Sequence, residues 1–599
     1  MKRQFKLLLL ISFFIFFQIE KVRGQTYTAI YDLQFSMQGD SSVVYPWFEN
    51  AAYSNYSIST YVQESNRKMF AKKFIKGFPF SNHLRTEYQQ RILLPYNNAK
   101  EATIEFECKG QNINLVSIIL DAIDMKEEIL FSDTLKFVPD SVLSLASKNI
   151  ELTNVELLNI RINVEGLIDK EAYIAFSKLD ILLGGKTIDM FPIRILQKLS
   201  ENDKLKYTSI DIENKIELAE INEINDKKII GLGESIHGNH DIKNLAYQLI
   251  LQAIESQNCK LVLLELPMEK SLAYNRFIQD ENYTFDSLLL IDNMMNDFLI
   301  KLRLFNSDKA DDSKVKLFGI DYNSIYSSTQ NSAMDIFDFV VQLNQKTNIP
   351  EIDQFLLMLM KEDWSQAITF LNDHKKEVQK ILTIDEIECI SHILNVSKKM
   401  GKSGIERFIN RDSVMFINAE FLIDKFAAAN NNKTIIYGHA AHINPVSTYP
   451  AVPCTPFGHY MQITYKEKYS PLLFLIGNGI SMAYDERYNR KDNVLSNPPE
   501  NSVEYWLNTI DENISYIPIT SELDKLTLSR FKGSHHILQD FFPFNLYQRY
   551  KGIFFIKNTD YNILDMKEIS FDKDSDSFIM KIKQRQKKLE EIKKRTQKL

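Results

Sequence analysis

The chain has 599 residues, 44% of them hydrophobic and 25% charged, with a formal net charge of −7 at pH 7. Its length calls for two or three domains, and its composition is that of a folded soluble chain, which excludes wholesale disorder. The acidic balance excludes the broadly basic surface that binds nucleic acid or an anionic membrane face.

Residues 1–24 have the layout of a signal peptide. Lys2, Arg3 and Lys6 precede the apolar run Leu7 to Phe17, and Val22-Arg-Gly24 offers a cleavage point before Gln25. The run is too short to cross a bilayer comfortably, so no membrane span is expected and a secreted or periplasmic address follows. Mass spectrometry of the mature native protein should find an N-terminus close to Gln25; an intact Met1 would refute this. The cysteines Cys108, Cys259, Cys389 and Cys454 are scattered, form no CxxC pair, and assign no disulfide by spacing.

Residues 25–192 read as β-structure. Ile104, Phe106 and Cys108 alternate with Glu105 and Glu107, and Leu158, Ile160, Ile162 and Val164 alternate with Asn159, Arg161 and Asn163. A period of two marks strands with one buried face, and without helix patterns between them a β-sandwich is expected. The aromatics Tyr45, Trp47, Phe48, Tyr53, Tyr56 and Tyr61 suit the core of such a sandwich. A carbohydrate stacked on them is the alternative, and the candidate partner of this domain.

From 193 to 560 strands alternate with helices. The strand 228–233 feeds a helix beginning near Asn239, whose apolar face carries Leu245, Leu249, Ala253 and Ile254. The strand 261–264 follows, and the two are expected to pair in parallel across a right-handed connection. Helical patterns fill about 283–430, broken by a strand at Val315, and read as an insertion into the sheet. Strands at 434–438, 472–476 and 553–556 complete it. The lysine-rich end, 561–599, reads as a basic helical tail exposed to solvent. The expected class is therefore α/β: a mostly parallel sheet flanked by helices with a large helical insertion, preceded by an N-terminal β-sandwich.

The ends of those strands carry the chemistry. Glu234-Ser-Ile-His237-Gly-Asn-His240 follows the first strand, Glu265 ends the second, Asp321 ends the strand at Val315, and His439-Ala-Ala-His442 follows 434–438. Catalytic groups gather at the carboxyl ends of parallel strands, so four of only ten histidines placed there point to an enzyme. Competing motifs fail. Gly231-Leu-Gly233 lacks the third glycine of a dinucleotide fingerprint, Val396 stands where a phosphate loop ending at Gly401-Lys-Ser403 needs glycine, and no HExxH occurs. Gly479-Ile-Ser481-Met-Ala483 ends in alanine and is no nucleophile elbow. What remains is a carboxylate three residues before a histidine: Glu234 can hold one nitrogen of His237 and leave the other to take a proton from water. His439 and His442 suit an oxyanion or a divalent metal, and Glu265 could position the water or complete a metal shell.

At these residues the chain resembles the erythromycin esterase family. The run Gly231-Leu-Gly-Glu234-Ser-Ile-His237-Gly-Asn-His240 resembles its Gly-Glu-x-x-His-Gly-x-His block. Glu265, the segment Arg411-Asp-Ser-Val-Met-Phe-Ile-Asn418 and Gly438-His-Ala-Ala-His442 resemble its later blocks in the same order. Glu504-Tyr-Trp506 and Tyr550-Lys-Gly-Ile-Phe554 are similar to its C-terminal pattern. The resemblance implies hydrolysis of a macrolactone ester, or another small-molecule ester or lactone, by histidine-activated water without a covalent serine. His237 would be the base, oriented by Glu234, with Glu265, His439, His442 and Arg411 completing the cleft and His240, Asp321 and Asp412 at the substrate. Family members differ in metal use, so no cofactor is assigned and a divalent metal stays open. Asp241-Ile-Lys243 stands where the family often carries aromatic and arginine residues. The added N-terminal domain suggests a role other than drug resistance. The competing functions are a metal-dependent peptidase-like hydrolase and a haem-binding or porphyrin-binding protein with His237 or His439 as axial ligand. A fragment starting near Ile193 is expected to keep the chemistry.

Overall fold

In the computed structural model the described residues are 32–35, 47–49, 57–64, 67–74, 84–95, 99–167, 170–191, 206–211, 218–284, 293–322, 330–345, 347–400, 410–427, 432–446, 455–484, 490–499, 502–531, 541–559 and 571–596. The segment 1–24, the boundary at 192–193, Cys454 and the Gly401-Lys-Ser403 turn lie outside them. No described helix is long and apolar enough to cross a membrane.

The N-terminal strands are β1 (Phe48–Glu49), β2 (Ser57–Glu64), β3 (Arg67–Phe74), β4 (Leu84–Leu93), β5 (Glu101–Gln111), β6 (Ile113–Ile123), β7 (Ile129–Phe137), β8 (Ser144–Glu151), β9 (Leu157–Gly166), β10 (Tyr173–Leu183) and β11 (Lys186–Thr187). They form two antiparallel sheets, β1-β4-β9-β6-β7 and β2-β3-β10-β5-β8, with β11 on β10. One apolar core lies between them, built from the alternating residues of each strand: Ile104, Phe106 and Cys108 from β5, and Ile160, Ile162 and Val164 from β9. Trp47 belongs to it. Its ring stacks on Phe35 at 5.1 Å and its Nε1 donates to the Asp32 carbonyl at 2.6 Å, so it is a core residue and not a sugar platform. Tyr45, Tyr53 and Tyr56 lie outside the described residues.

The second part is built on β12 (Thr208–Ser209), β13 (Ile229–Glu234), β14 (Cys259–Pro267), β15 (Lys316–Asp321), β16 (Lys433–His439), β17 (Tyr469–Tyr484), β18 (Arg490–Val494), β19 (Ile514–Pro518), β20 (Leu526–Arg530), β21 (Phe541–Asn545) and β22 (Gly552–Thr559). The sheet runs β12-β19-β22-β17-β13-β16-β14-β15, with β18 on β17 and the hairpin β20–β21 apart. From β22 to β15 all neighbours are parallel. Every residue of β13 is buried, as expected of a strand covered on both faces. One expectation is corrected: β13 and β14 do not pair. β16, which arrives after the helical region, lies between them and hydrogen-bonds to both. The chain thus leaves β13 towards one side of the sheet and returns across it to reach β17 on the other, the arrangement that opens a crevice at the strand ends.

The helical region holds Asn293–Ser307, Gln330–Asn344, Pro350–Met360, Trp364–Asp373, Ile384–Lys399 and Arg411–Phe426. The C-terminal helix Phe571–Thr596 docks on it, contrary to the expected solvated tail. Ile592 is buried, Arg595 chelates Asp353 at 2.8 and 2.9 Å, and Arg585 chelates Asp338. A lysine-rich composition concealed one apolar and arginine-bearing face.

The sandwich and the sheet are locked together. Glu127, in the β6–β7 turn at φ +66°, is wholly buried against the second part. Its carboxylate accepts from Arg91 Nη2 at 3.0 Å on its own side, and from Arg549 Nε at 2.9 Å, Arg549 Nη2 and the Asn545 amide across the junction. Asn545 Nδ2 donates back to the Met125 carbonyl at 3.0 Å, and Leu526 of β20 is buried in the sandwich core. A fragment starting near Ile193 would lose the carboxylate that Arg549 and the Asn545 amide bind and would uncover Leu526, so its stability should fall.

Candidate functional site

Parallel pairing of β13 and β16 puts Glu234 directly beside His439. Glu234 is the last residue of its strand. His237 lies in the following turn, and the helix His240–Ser256 begins only after Asn239 caps it, accepting from the Ile242 amide at 3.0 Å. The three-residue spacing therefore works across a turn and not along a helix. Gly238 makes that turn possible: its φ is +75°, and a Cβ there would stand 2.6 Å from the Met482 carbonyl. Asn239 also donates to Thr559 Oγ1 at 3.1 Å, tying the turn to the end of β22.

His237 Nδ1 lies 2.5 Å from Glu234 Oε1, and the other Glu234 oxygen accepts from the Tyr437 hydroxyl. With Nδ1–H directed at the carboxylate, Nε2 carries the lone pair. Nε2 makes no hydrogen bond among the described residues, and the side chain is 32% exposed. Burial disfavours charge on the ring, but the hydrogen bond and charge of Glu234, with help from Glu265, outweigh it and raise the pKa above the ordinary 6.5. The His439 ring packs against that of His237, centroids 4.5 Å apart, and Phe531 meets it edge-on at 4.9 Å. His439 Nδ1 accepts from the Ala441 amide at 3.3 Å, which places the neutral ring's proton on Nε2.

A second, buried network stands beside this pair. Arg411, the first residue of its helix, grips Asp321 through Nε at 3.0 Å and Nη2 at 2.7 Å; Nη2 also reaches Glu265 at 2.9 Å, and Nη1 reaches His442 Nε2 at 2.8 Å. Glu265 Oε2 accepts from the His439 amide at 2.6 Å. This needs Gly438 beside it, where a Cβ would lie 3.0 Å from that carboxylate. Asp412 Oδ2 takes His442 Nδ1 and the Phe457 amide, each at 2.8 Å. Burial raises the cost of charging Glu265, yet His442 and Arg411 hold its carboxyl well below the usual carboxylate range. Burial also opposes charge on His442, while Asp412 and Glu265 draw it towards the charged form. Together they raise its pKa to about 10, and its Nε2 stands between Arg411 Nη1 at 2.8 Å and Glu265 Oε1 at 3.3 Å.

The structure brings Glu234, His237, Glu265, His439, His442, Arg411, Asp321 and Asp412 together. Asp321 and Asp412 are corrected from substrate contacts to buried supports, since the oxygens that face the network are taken by Arg411, His442 and backbone amides. His240 stands apart, at the rim of a groove of about 520 Å³ lined also by Asn244, Tyr247, Gln248, Asp297 and Lys301. Tyr437 escaped the sequence reading; its position two residues before His439 on the same strand face was the available signal. Glu504 is buried under β20, accepting from Ser529 Oγ and the Arg530 amide. Ser481 lies inside β17, fully buried, and not on a turn.

The divalent metal does not fit these residues. Among those described, no three His, Cys, Asp or Glu side chains converge on a point that could hold one. Each oxygen of Glu234 and Glu265 already faces a hydrogen-bond partner, from His237, Tyr437, Arg411 or the His439 amide, and the guanidinium supplies positive charge beside Glu265.

The erythromycin esterase family model matches residues 254–559, a span that begins beyond the Glu234–His240 turn. No curated protein matches the chain. Among solved structures, a Bacillus cereus protein is 15% identical over 58% of this chain and 92% of its own, with a TM-score of 0.45. A mutant erythromycin esterase in its open conformation is 14% identical over 59% and 98%, with a TM-score of 0.38. A carbohydrate-binding module in complex with β-1,4-galactotriose is 16% identical over 27% of this chain and 99% of its own, with a TM-score of 0.19. With just over half of its length matched by the family model, this chain belongs to the erythromycin esterase family.

Proposed function

We propose that the protein is a carboxylic ester or lactone hydrolase in which His237 activates water directly. The observation that carries this is the 2.5 Å Glu234–His237 pair, in which Nδ1 is committed to the carboxylate while the side chain stays 32% exposed. Water on Nε2 loses its proton to the ring as it attacks the ester carbonyl. Glu234 stabilises the imidazolium that forms, and Tyr437 fixes Glu234. His439, packed on the same ring, offers a ring N–H to the oxyanion. Arg411, Glu265, Asp321, Asp412 and His442 hold the His439 backbone and the strand ends in place. The collapsing tetrahedral intermediate recovers the proton from His237 at the leaving oxygen. The groove at His240 takes the body of the substrate, and a small-molecule ester with an extended polar portion suits its lining. Secretion or export to the periplasm is part of the same reading.

The base must be neutral to accept a proton, and Glu234 raises its pKa. The rate should therefore climb with pH through a value above 6.5, and lie well below its plateau at pH 6. A pH profile of kcat/KM on a panel of lactones and acyl esters tests this; a rate already flat from pH 5 upwards would refute it. Ser481→Ala should hydrolyse esters within about twofold of wild type, as no serine attacks. An acyl group trapped on Ser481 would overturn the mechanism. Among the described residues no three His, Cys, Asp or Glu side chains converge as a metal-dependent peptidase needs, and a Soret band on adding haemin would favour a porphyrin on His237 over water activation there.

A further inference from the structure

Two lines of contact run from the Glu127 junction to His439. The first is polar. Arg549, which bears Glu127, closes the short helix Leu546–Arg549, and the next residue, Tyr550, is buried and donates its hydroxyl to the Ala440 carbonyl at 2.9 Å. Ala440 follows His439 directly and opens the turn Ala440–Ile443 that also carries His442. That turn has little room to shift: Ala440 sits so close to β13 that a Cβ on Gly233 would lie 2.9 Å from its Cα. The second line is aromatic. Arg549 and Arg91 lie over the ring of Phe544 at 5.0 and 6.0 Å, Phe544 packs on Phe531 at 5.2 Å, and Phe531 meets the His439 ring edge-on at 4.9 Å. The His439 ring and the residue that follows it are thus each held from the domain junction.

We infer that Tyr550 and Phe531 are positioning residues for His439, and that the N-terminal sandwich, through Glu127, is the anchor that keeps them in place. The sandwich then has a second role besides any ligand of its own: it completes the hydrolytic site. This rests on the proposed hydrolase reading for its kinetic consequences, but not for its structural ones. A main-chain shift of an ångström at Ala440 would carry the His439 N–H off the developing oxyanion while leaving His237 and Glu234 as they are. Turnover is lost in that case, whereas substrate binding and the titration of the base are not.

The test uses the full chain with Tyr550→Phe, Phe531→Leu, Phe531→Tyr, Glu127→Gln and the double variant Glu127→Gln/Tyr550→Phe. Tyr550→Phe removes one hydroxyl and should lower kcat about tenfold, with KM within about twofold and the acid limb of the pH profile unmoved. Phe531→Leu should do likewise, and Phe531→Tyr, which keeps the ring edge, should stay close to wild type. The double variant should lose no more than the worse single one, because both changes release the same turn. Labelled-histidine NMR supplies a readout without substrate: the His439 ring signals should shift in Tyr550→Phe and in Glu127→Gln. A wild-type kcat for Tyr550→Phe, independent multiplication of the two losses, or unmoved His439 signals would each overturn the inference. Should Glu127→Gln fail to fold, Tyr550→Phe and the two Phe531 variants decide alone. Absence of ester hydrolysis by the wild type, with His439 signals that do shift, would refute the hydrolase and leave the positioning intact.

Discussion

Replacing His237 with alanine should lower ester hydrolysis by about 10²–10⁴-fold while thermal unfolding stays near that of the parent. The side chain is a third exposed and sits in a turn, so its removal opens little core. It also removes the group whose neutral form the reaction needs, so the variant's residual rate should lose the acid limb. Glu234→Gln should be nearly as harmful to turnover. An amide can still touch Nδ1, but it cannot stabilise an imidazolium, and it presents the Tyr437 hydroxyl with a neutral partner. Steady-state kinetics of both variants on the best ester from the panel, with circular dichroism as the control for folding, will decide. Hydrolysis by His237→Ala within a few-fold of the parent would remove His237 from the mechanism.

Glu127→Ala should be the most destabilising single change outside the site, by about 3–5 kcal/mol, the usual cost of leaving buried charge without its partner. Two guanidiniums converge on this one carboxylate, and neither Arg91 nor Arg549 has a route to solvent. Burial alone would raise the Glu127 pKa, but Arg549 and Arg91 outweigh it and bring it down to about 2. A folded-state value below the ordinary 4.5 means that the carboxylate contributes its full stability above that pH. The contribution drains away as pH falls from there towards 2. Denaturant titrations of parent and variant at pH 7 and pH 3 should therefore differ strongly at the first and converge towards the second. Equal stabilities at pH 7 would show that the junction contributes nothing.

The strand ends were legible because parallel strands buried on both faces are written as unbroken apolar runs, and the residue that breaks each run is the one delivered to the crevice. Glu234, Glu265, Asp321 and His439 announce themselves in this way. Arg411 and Asp412 do not: they open a helix, where charged residues are ordinary, and only the family resemblance marked them. The order of the strands was not legible either. Periodicity shows that β13, β14 and β16 are buried strands, but nothing local says that β16 enters between the other two. The Glu127–Arg549 pair is the extreme case, with 422 positions between partners and no periodic pattern linking a turn glutamate to an arginine after β21. The C-terminal helix was misjudged because net charge was weighed and the spacing of Arg585, Ile592 and Arg595 was not.

The late arrival of β16 also bears on how the molecule is made. When residues up to the helical region have left the ribosome, β13 and β14 each lack the strand that will lie between them, and both present unpaired edges of apolar strands. Closing that gap means bringing residues 433–439 back across some two hundred positions, a contact of high sequence separation that forms slowly and leaves the nascent chain adhesive meanwhile. Glu234 and His439 therefore meet only once the middle strand is seated. A chain interrupted before residue 433 cannot hold a partial version of the site; it holds a β13 with neither neighbour and an open edge on β14.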